Sequence, residues 1–276
     1  MAQTASKKWL GIGLVVVVAI IALLIWNKQR QNHSSELVIG ISPSFAHPLQ
    51  VAADEAKQQG LNVKLVEFSD WNTPNITLNH GDIDANFFQH QPFLNNAIKE
   101  TGFKLKSFAA GAASHVGLYS KKYKSFDELP NGATVAIPND PVNQGRALLL
   151  LQQAKLIELK DSNNHLSALK DISANPKNLK FTEVEGPQTA RAIDDVDLAF
   201  GYPHYLRLAK TADPESVLLF DDNTNKRYAI LFVVRDDYQD KDNKLQKFVE
   251  IYQNSAKVKA ALDSDFGPTL WFPGWK

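Results

Sequence analysis

The sequence has 276 residues, enough for one large domain or two of moderate size with a well-buried core. Lysine plus arginine and aspartate plus glutamate number 30 each, so no excess charge indicates a nucleic-acid or strongly acidic partner. The sequence contains no cysteine, which excludes disulfides, thiolate metal sites and cysteine nucleophiles.

An uncharged apolar run, Trp9 to Trp26, stands near the N-terminus between pairs of basic residues. Its length is close to the ~20 residues of a membrane helix and exceeds the ~7–15 of a signal-peptide core. No small-x-small cleavage site follows it, and its terminal tryptophans suit the two headgroup layers. We therefore predict that residues 1–34 form a cytoplasmic tip, an uncleaved transmembrane anchor and a linker. A cleaved signal peptide is the alternative.

The next segment predicts a strand–helix–strand unit. Glu36–Ile41 is an apolar run typical of a buried strand, and a helix is predicted to follow it through Gln59, with Gly60 as its stop. Asn62–Phe68 alternates apolar and polar residues, which predicts a second strand.

A second helix is predicted to start at Thr73, with this threonine as its cap and Pro74 at the first helical position. Gly81 is expected to end it. Strand, loop and helix patterns continue to about Tyr252. This alternation predicts an α/β fold with largely parallel sheets.

A faint internal repeat indicates two lobes. Asp82–Phe88 (DIDANFF) and Asp195–Gly201 (DVDLAFG) both place Asp-x-Asp before a short apolar strand. Pro92 and Pro203 follow these strands at similar distances. Chance similarity is the alternative explanation.

The run from Asn139 to Pro141 predicts the start of a helix, with Asp140 as its cap. A helix start offers free backbone N–H groups and a positive dipole end. Arg146, about one and a half turns in, could add a bidentate fork for a carboxylate. A structural salt bridge to Asp140 or to another acid is the alternative.

Two runs carry a family resemblance: Gly81–Phe93 (GDIDANFFQHQPF) and Val135–Gln152 (VAIPNDPVNQGRALLLLQ). Together with Tyr119–Leu129 and Ala174–Glu185, they make the region from Glu36 to Glu250 resemble the NlpA-type methionine-binding lipoproteins. Those proteins are the substrate-binding subunits of an ATP-driven methionine importer.

The resemblance implies a two-lobed type II periplasmic-binding fold with a two-strand hinge. Lobe 1 is expected to comprise residues 35–117 and 232–276, and lobe 2 residues 118–231. The linking segments are expected near Val116–Ser120 and Tyr228–Val234. The aromatic tail, Trp271–Trp275, is expected to dock onto lobe 1.

The resemblance also implies site residues between the lobes. Arg146 matches the arginine that grips the ligand carboxylate. Phe88 and Phe93 would form an apolar wall, although ordinary core packing is the alternative for both. His90 would hydrogen-bond a polar part of the ligand or orient a neighbour. Trp71 stands where the family commonly has tyrosine, which offers a larger ring with only an N–H donor.

Several positions depart from the family. Tyr202 stands at a usual asparagine, or His204 does if the register slips by two, and Ile230, two residues after Tyr228, stands at another. His115 lies where the family has proline. The ligand's ammonium would thereby lose its usual acceptors, and a buried polar group without a partner costs about 1–3 kcal/mol. We predict that methionine binds weakly and that a bulkier or less cationic carboxylate is preferred.

Other chemistries find little support in the sequence. His90, His115 and His204 could suit zinc, but no two lie at a typical ligand spacing, so we predict no metal. There is neither a nucleophile elbow nor a glycine-rich phosphate loop. The remaining paired carboxylates are predicted to bond backbone: Asp82, Asp84, Asp195 and Asp197. We predict neither enzymatic activity nor a cofactor.

The sequence thus predicts the substrate-binding component of an ABC importer for methionine or a related small carboxylate or amino acid. The expected partners are this ligand, an ABC permease–ATPase complex and the membrane, with no nucleic acid, and the protein is expected to be a monomer. Its expected location is the bacterial inner membrane, with the globular part in the periplasm. The alternative is a membrane-tethered ligand sensor or interaction protein that no longer binds methionine.

Overall fold

The computed structural model describes residues 36–221 and 226–276. The anchor predicted at Trp9–Trp26 lies outside these residues. No helix within the described part of the chain is long and apolar enough to cross a membrane.

The described chain alternates strands and helices, which confirms the predicted α/β class. The prediction of largely parallel sheets is wrong, because each five-stranded sheet has two parallel and two antiparallel strand pairs. The strands are β1 (Leu37–Ile41), β2 (Val63–Glu67), β3 (Ala85–His90), β4 (Leu105–Ala110), β5 (Ala112–Ser114), β6 (Gly117–Tyr119), β7 (Thr134–Pro138), β8 (Glu158–Leu159), β9 (Ile172–Ala174), β10 (Lys180–Val184), β11 (Leu198–Gly201), β12 (Leu219–Phe220), β13 (Ile230–Arg235) and β14 (Trp271–Pro273). The α-helices are α1 (Ala46–Gln58), α2 (Thr73–His80), α3 (Gln91–Thr101), α4 (Pro141–Gln153), α5 (Thr189–Ala192), α6 (Pro203–Ala209), α7 (Lys244–Asn254) and α8 (Ala256–Phe266).

The first five-stranded sheet has the order β2-β1-β3-β13-β4. β1 runs parallel to β2 and β3, whereas β13 is antiparallel to β3 and β4. Successive residues of β1 enter different cores: Leu37 and Ile39 face helices α1, α7 and α8, and Val38 faces α2 and α3. Burial on both faces explains why this strand is continuously apolar.

The second five-stranded sheet has the order β10-β7-β11-β6-β12. β7 is parallel to β10 and β11, and β6 is antiparallel to β11 and β12. It has its own hydrophobic core. We call the parts of the molecule built on these two sheets the first and second lobes.

The Asp-x-Asp repeat makes the same contact in each lobe. Asp84 Oδ2 accepts from the Val38 N–H at 2.8 Å, and Asp197 Oδ2 accepts from the Thr134 N–H at 2.8 Å. Both aspartates therefore bond strand backbone, which favours a repeated unit over chance similarity.

The helix starts follow the sequence with one exception. Asp140 caps α4 as predicted, accepting from the Asn143 N–H at 2.9 Å. Thr73 was predicted to be the cap of α2, but it is the first residue of this helix. The Asp70 carboxylate accepts from the Thr73 N–H at 2.8 Å instead, because it precedes the helix and can turn back onto its free end. Gly81 ends α2 at a φ of 86°, where glycine avoids a steric penalty.

The aromatic tail docks onto the first lobe, as expected. β14 pairs with β5 in antiparallel orientation. Trp271 and Trp275 pack against the core formed with α1, α7 and α8. The tail therefore completes the first lobe rather than the region between the lobes.

Candidate ligand-binding site between the lobes

Three helix N-termini carry the polar residues of the candidate site. His90 is the cap of α3 in the first lobe, while Asp140 and Tyr202 hold the cap positions of α4 and α6 in the second. Each helix follows the carboxyl end of a strand, where open α/β sheets usually bind ligands.

Aromatic side chains form a continuous wall across the two lobes. The ring centroids of Phe88 and Phe93 are 5.8 Å apart, and those of Phe93 and Trp71 are 6.1 Å apart. Trp71 then meets Tyr202 of the second lobe edge to face, with ring centroids 5.7 Å apart. Phe88 is 5% exposed, so it also serves the core of the first lobe.

His90 makes a hydrogen bond across the cleft. Its Nδ1 accepts from the Phe93 N–H, so the single proton of the neutral ring lies on Nε2. Nε2 therefore donates to Asn143 Oδ1 of α4 at 3.2 Å. Burial and then the nearby Arg146 charge lower the pKa of His90 to about 3, so the ring is neutral at physiological pH.

Asn143 continues this chain of hydrogen bonds. Its Nδ2 donates to both carboxylate oxygens of Asp140, at 3.1 Å each. Burial raises the pKa of Asp140, although its bonds from Asn143 act in the opposite direction. The chain ties the start of α4 to the end of β3 and so links the two lobes.

Arg146 is buried and already paired. Its Nε donates to Asp221 Oδ2 at 3.1 Å, and Nη2 donates to the same oxygen. Its guanidinium carbon lies 4.0 Å from the ring centroid of Tyr228, a cation–π contact. The structural salt bridge considered from the sequence is thus present, but its partner is Asp221 and not Asp140.

Asp221 joins Arg146 to the connection between the lobes. Its Oδ1 accepts from the Val116 N–H at 3.1 Å and lies 3.4 Å from His115 Nδ1. The pKa of Asp221 is lowered: burial alone would raise it, but the bonds from His115 and Arg146 outweigh that effect. Conversely, the bond to Asp221 raises the pKa of His115 despite partial burial.

Tyr202 and His204 present buried polar atoms without partners. Tyr202 Oη and His204 Nδ1 make no hydrogen bond within the described part of the chain, and each residue is 6% exposed. Burial raises the pKa of Tyr202 well above its usual value. Burial and then the Arg146 charge lower the pKa of His204 to about 3. Both groups are therefore neutral hydrogen-bonding groups at physiological pH.

The structure brings most of the sequence-predicted residues into one cluster. Tyr228 joins its two parts, since its ring centroid lies 5.0 Å from that of His90 and it also stacks on Arg146. His115 reaches the cluster only through Asp221. Ile230 pairs with His90 between strands but packs against the core of the first lobe.

The histidines do not assemble a metal site within residues 36–221 and 226–276. No group of three or more ligating side chains is gathered there. His204 stacks on Phe266 with ring centroids 4.7 Å apart, whereas His115 bonds Asp221. The two imidazoles thus serve different parts of the molecule.

Two contributors, Asp221 and Tyr205, were not foreseen from the sequence. Asp221 follows the short strand β12, and no motif in the neighbouring sequence indicated that it would pair with Arg146. Tyr205, one residue after His204, accepts from Trp71 Nε1 at 3.1 Å and bonds Ser42 Oγ at 2.6 Å, so it connects to the first lobe twice. Its position beside the predicted Tyr202–His204 segment was the only available hint.

Comparisons with known proteins agree with this architecture. The model of the family described as NlpA lipoprotein matches residues 37–275. The D-methionine-binding lipoprotein MetQ of Salmonella typhi is 39% identical over 261 residues, covering 92% of this chain and 94% of its own. The crystal structure of the methionine-binding protein MetQ has a TM-score of 0.81 at 39% identity, covering 88% of this chain and 99% of its own. A nutrient-binding protein of Burkholderia cenocepacia bound to methionine has a TM-score of 0.74 at 38% identity, covering 83% of this chain and 96% of its own. The chain therefore belongs to the NlpA lipoprotein family.

Proposed function

We propose that this protein is the substrate-binding component of an ABC importer, holding methionine or a related small carboxylate or amino acid between its lobes. It is a binding protein and not an enzyme. The observation that carries the proposal is the unpartnered pair of Tyr202 Oη and His204 Nδ1, close to the Arg146 charge. Buried polar groups without partners are unfavourable, so a hydrogen-bonding ligand would satisfy them.

The carboxylate of the ligand is assigned to Arg146 and the start of α4. A guanidinium has five N–H donors, and Asp221 accepts from two of its nitrogens. Asp221 thereby orients the guanidinium, and the Tyr228 ring packs against the face of this group. The positive end of α4 adds to the attraction for an anion.

The ammonium of an amino-acid ligand is assigned to the unpartnered pair. The resemblance places Tyr202 at a usual asparagine, and its hydroxyl oxygen can accept a hydrogen bond. His204 Nδ1 offers a second acceptor when its proton lies on Nε2. These two neutral groups would replace the acceptors lost at Tyr202 and Ile230.

The test is native mass spectrometry of the purified protein for a co-purified ligand, followed by calorimetry with L-methionine, D-methionine and N-acetyl-methionine. The proposal expects at least one of them to bind. Tight, submicromolar binding of methionine would refute the predicted loss of methionine affinity and support the plain family function. If no amino acid or small carboxylate binds, the importer proposal is wrong and the sensor alternative is favoured.

Arg146→Ala tests the carboxylate assignment. A hydrogen bond to a charged group contributes about 1.5–3 kcal/mol, so affinity for the ligand found above should fall roughly ten- to hundredfold. Arg191→Ala on the exposed side of α5 is the matched control and should change nothing. Unchanged affinity in Arg146→Ala would contradict the assignment.

The membrane location is part of the same proposal. We assign residues 1–34 to the tip, anchor and linker, residues 35–117 and 232–276 to lobe 1, and residues 118–231 to lobe 2. The sequence offers no cysteine for lipid attachment, so the apolar run Trp9–Trp26 would hold the protein at the membrane with its lobes in the periplasm. Intact mass of protein extracted from membranes decides this, because an N-terminus near residue 27 or later would refute an uncleaved anchor.

A further inference from the structure

We infer that Trp71 and Gly186 form a matched closure contact, in which glycine makes room for the tryptophan and the pair sets how far the lobes close around the ligand. The role in ligand binding rests on the proposed function, whereas the closure contact itself does not.

Trp71 belongs to the first lobe but packs against the hydrophobic core of the second. Its Nε1 donates to Tyr205 Oη of α6, and the same hydroxyl bonds Ser42 Oγ of the first lobe. The indole is thus inserted between the lobes and anchored at its polar edge.

Gly186 receives the other edge of the indole. A Cβ built on this glycine would lie 2.0 Å from Trp71 Cζ3 and 2.1 Å from Cη2, distances at which atoms overlap. The φ of Gly186 lies outside the left-handed region, so its backbone conformation does not require glycine. Glycine is needed at this position because the Trp71 ring leaves no space for a side chain.

Neither the Gly186 backbone nor the Trp71 indole can easily move away from the contact. Gly186 begins a 3-10 turn, Gly186–Gln188, and its carbonyl accepts from the fully buried Thr189 Oγ1 at 2.7 Å. The indole is bounded by Phe93 and Tyr202, with ring centroids 6.1 and 5.7 Å away. A side chain at residue 186 would therefore displace the indole or part the lobes.

The pair also limits the ligand. The six-membered ring of Trp71 takes volume at the boundary between the lobes, where it lies against Gly186. With Phe93 and Asp140 it also lines a cavity of about 250 Å³ at that boundary. Trp71 is thus a specificity-determining residue, and Gly186 is the positioning residue that allows its placement.

The test measures the distance between the lobes with spin labels on Lys64→Cys and Glu158→Cys, both exposed positions, one in each lobe. The sequence contains no cysteine, so labelling is specific. Gly186→Ala should shift the distance to longer values without ligand and weaken L- or D-methionine binding about tenfold or more, the range expected for overpacking. Trp71→Tyr combined with Gly186→Ala should restore the wild-type distance.

Gly60→Ala is the control, because its Cβ would meet nothing within 4 Å although the φ of 80° makes it a strained substitution. It should leave the distance between the lobes unchanged.

An unchanged distance in Gly186→Ala would overturn the inference. A shift in the Trp71→Tyr, Gly186→Ala double variant as large as in Gly186→Ala alone would also overturn it. If Gly186→Ala does not fold, the double variant decides: folding at the wild-type distance supports the contact, and failure to fold beside a folded Trp71→Tyr overturns it. If the distance shifts but neither the wild type nor any variant binds an amino acid or small carboxylate, the closure contact stands and the proposed function is wrong.

Discussion

The two ends of the candidate site are built in opposite ways. At one end, Arg146 is paired with Asp221, which also bonds His115. At the other end, Tyr202 Oη and His204 Nδ1 are equally buried but have no partner in the described part of the chain. The paired end is already hydrogen-bonded within the protein, whereas the unpaired end leaves two polar atoms to which the proposed ligand would bond.

This difference separates two tasks. Asp221 holds the guanidinium of Arg146 in one place. Under the proposed function, little side-chain entropy would then be lost when the ligand binds. Under the proposed function, the neutral hydroxyl and imidazole would instead discriminate among ligands, since a ligand that bonds them removes an existing penalty and one that does not gains nothing there. On this proposal, the paired end would serve stability and ligand capture, and the unpaired end would determine which ligand is bound.

The largest expected effect is at the paired end. Asp221→Ala leaves the Arg146 guanidinium buried without its counter-charge, and we expect a loss of about 3–5 kcal/mol in the free energy of unfolding. Asp194→Ala is the matched control in the same lobe, because its partner Lys121 and Asp194 itself are about half exposed. The control should lose at most about 1 kcal/mol. Urea denaturation followed by circular dichroism measures both, and equal losses would refute the difference between the paired site and a surface pair.

The two ends should also respond to pH with opposite signs. The pKa of His204 falls from 6.5 to about 3 on folding, so the unfolded chain binds a proton that the folded protein does not. Its stabilising contribution is full above pH 6.5 and is lost on acidification towards pH 3, by up to about 1.4 kcal/mol per pH unit. The pKa of His115 is raised, so its contribution is present below 6.5 and is lost as pH rises through the raised value.

Denaturation profiles of His204→Phe and His115→Asn from pH 4 to 8 check this contrast. His204→Phe should flatten the acidic limb, although His90, whose pKa is also lowered to about 3, keeps part of it. His115→Asn should instead remove a loss of stability on the alkaline side. Profiles that change in the same direction would contradict the assignment of the two ends.

The smallest effect is expected from Tyr202→Phe. Removing a buried hydroxyl that has no partner should leave stability unchanged or raise it by up to about 1 kcal/mol. Tyr205→Phe on the same helix is the matched comparison, because its hydroxyl bonds both Trp71 and Ser42. That variant should lose about 1 kcal/mol. Thermal unfolding without ligand distinguishes them, and a clear loss of stability in Tyr202→Phe would mean that its hydroxyl is already satisfied.

Local features of the fold were predictable because their causes lie within a few residues. Asp140 caps α4 and Gly81 ends α2 for reasons that each short segment contains. Even here a neighbour changed the outcome at Thr73, whose N–H donates to the Asp70 carboxylate while Asn72 holds the cap position. The β1 run was recognisable as a buried strand because both of its faces are covered.

The sequence by itself determined the α/β class, the start of α4 and the segments that carry the candidate site. Only the tertiary structure decided which of these residues are already paired. Arg146 meets Asp221 across 75 positions, and Gly186 meets Trp71 from the other lobe. Such contacts depend on how two sheets place the ends of their strands, a relation that periodicity and spacing within a segment do not contain.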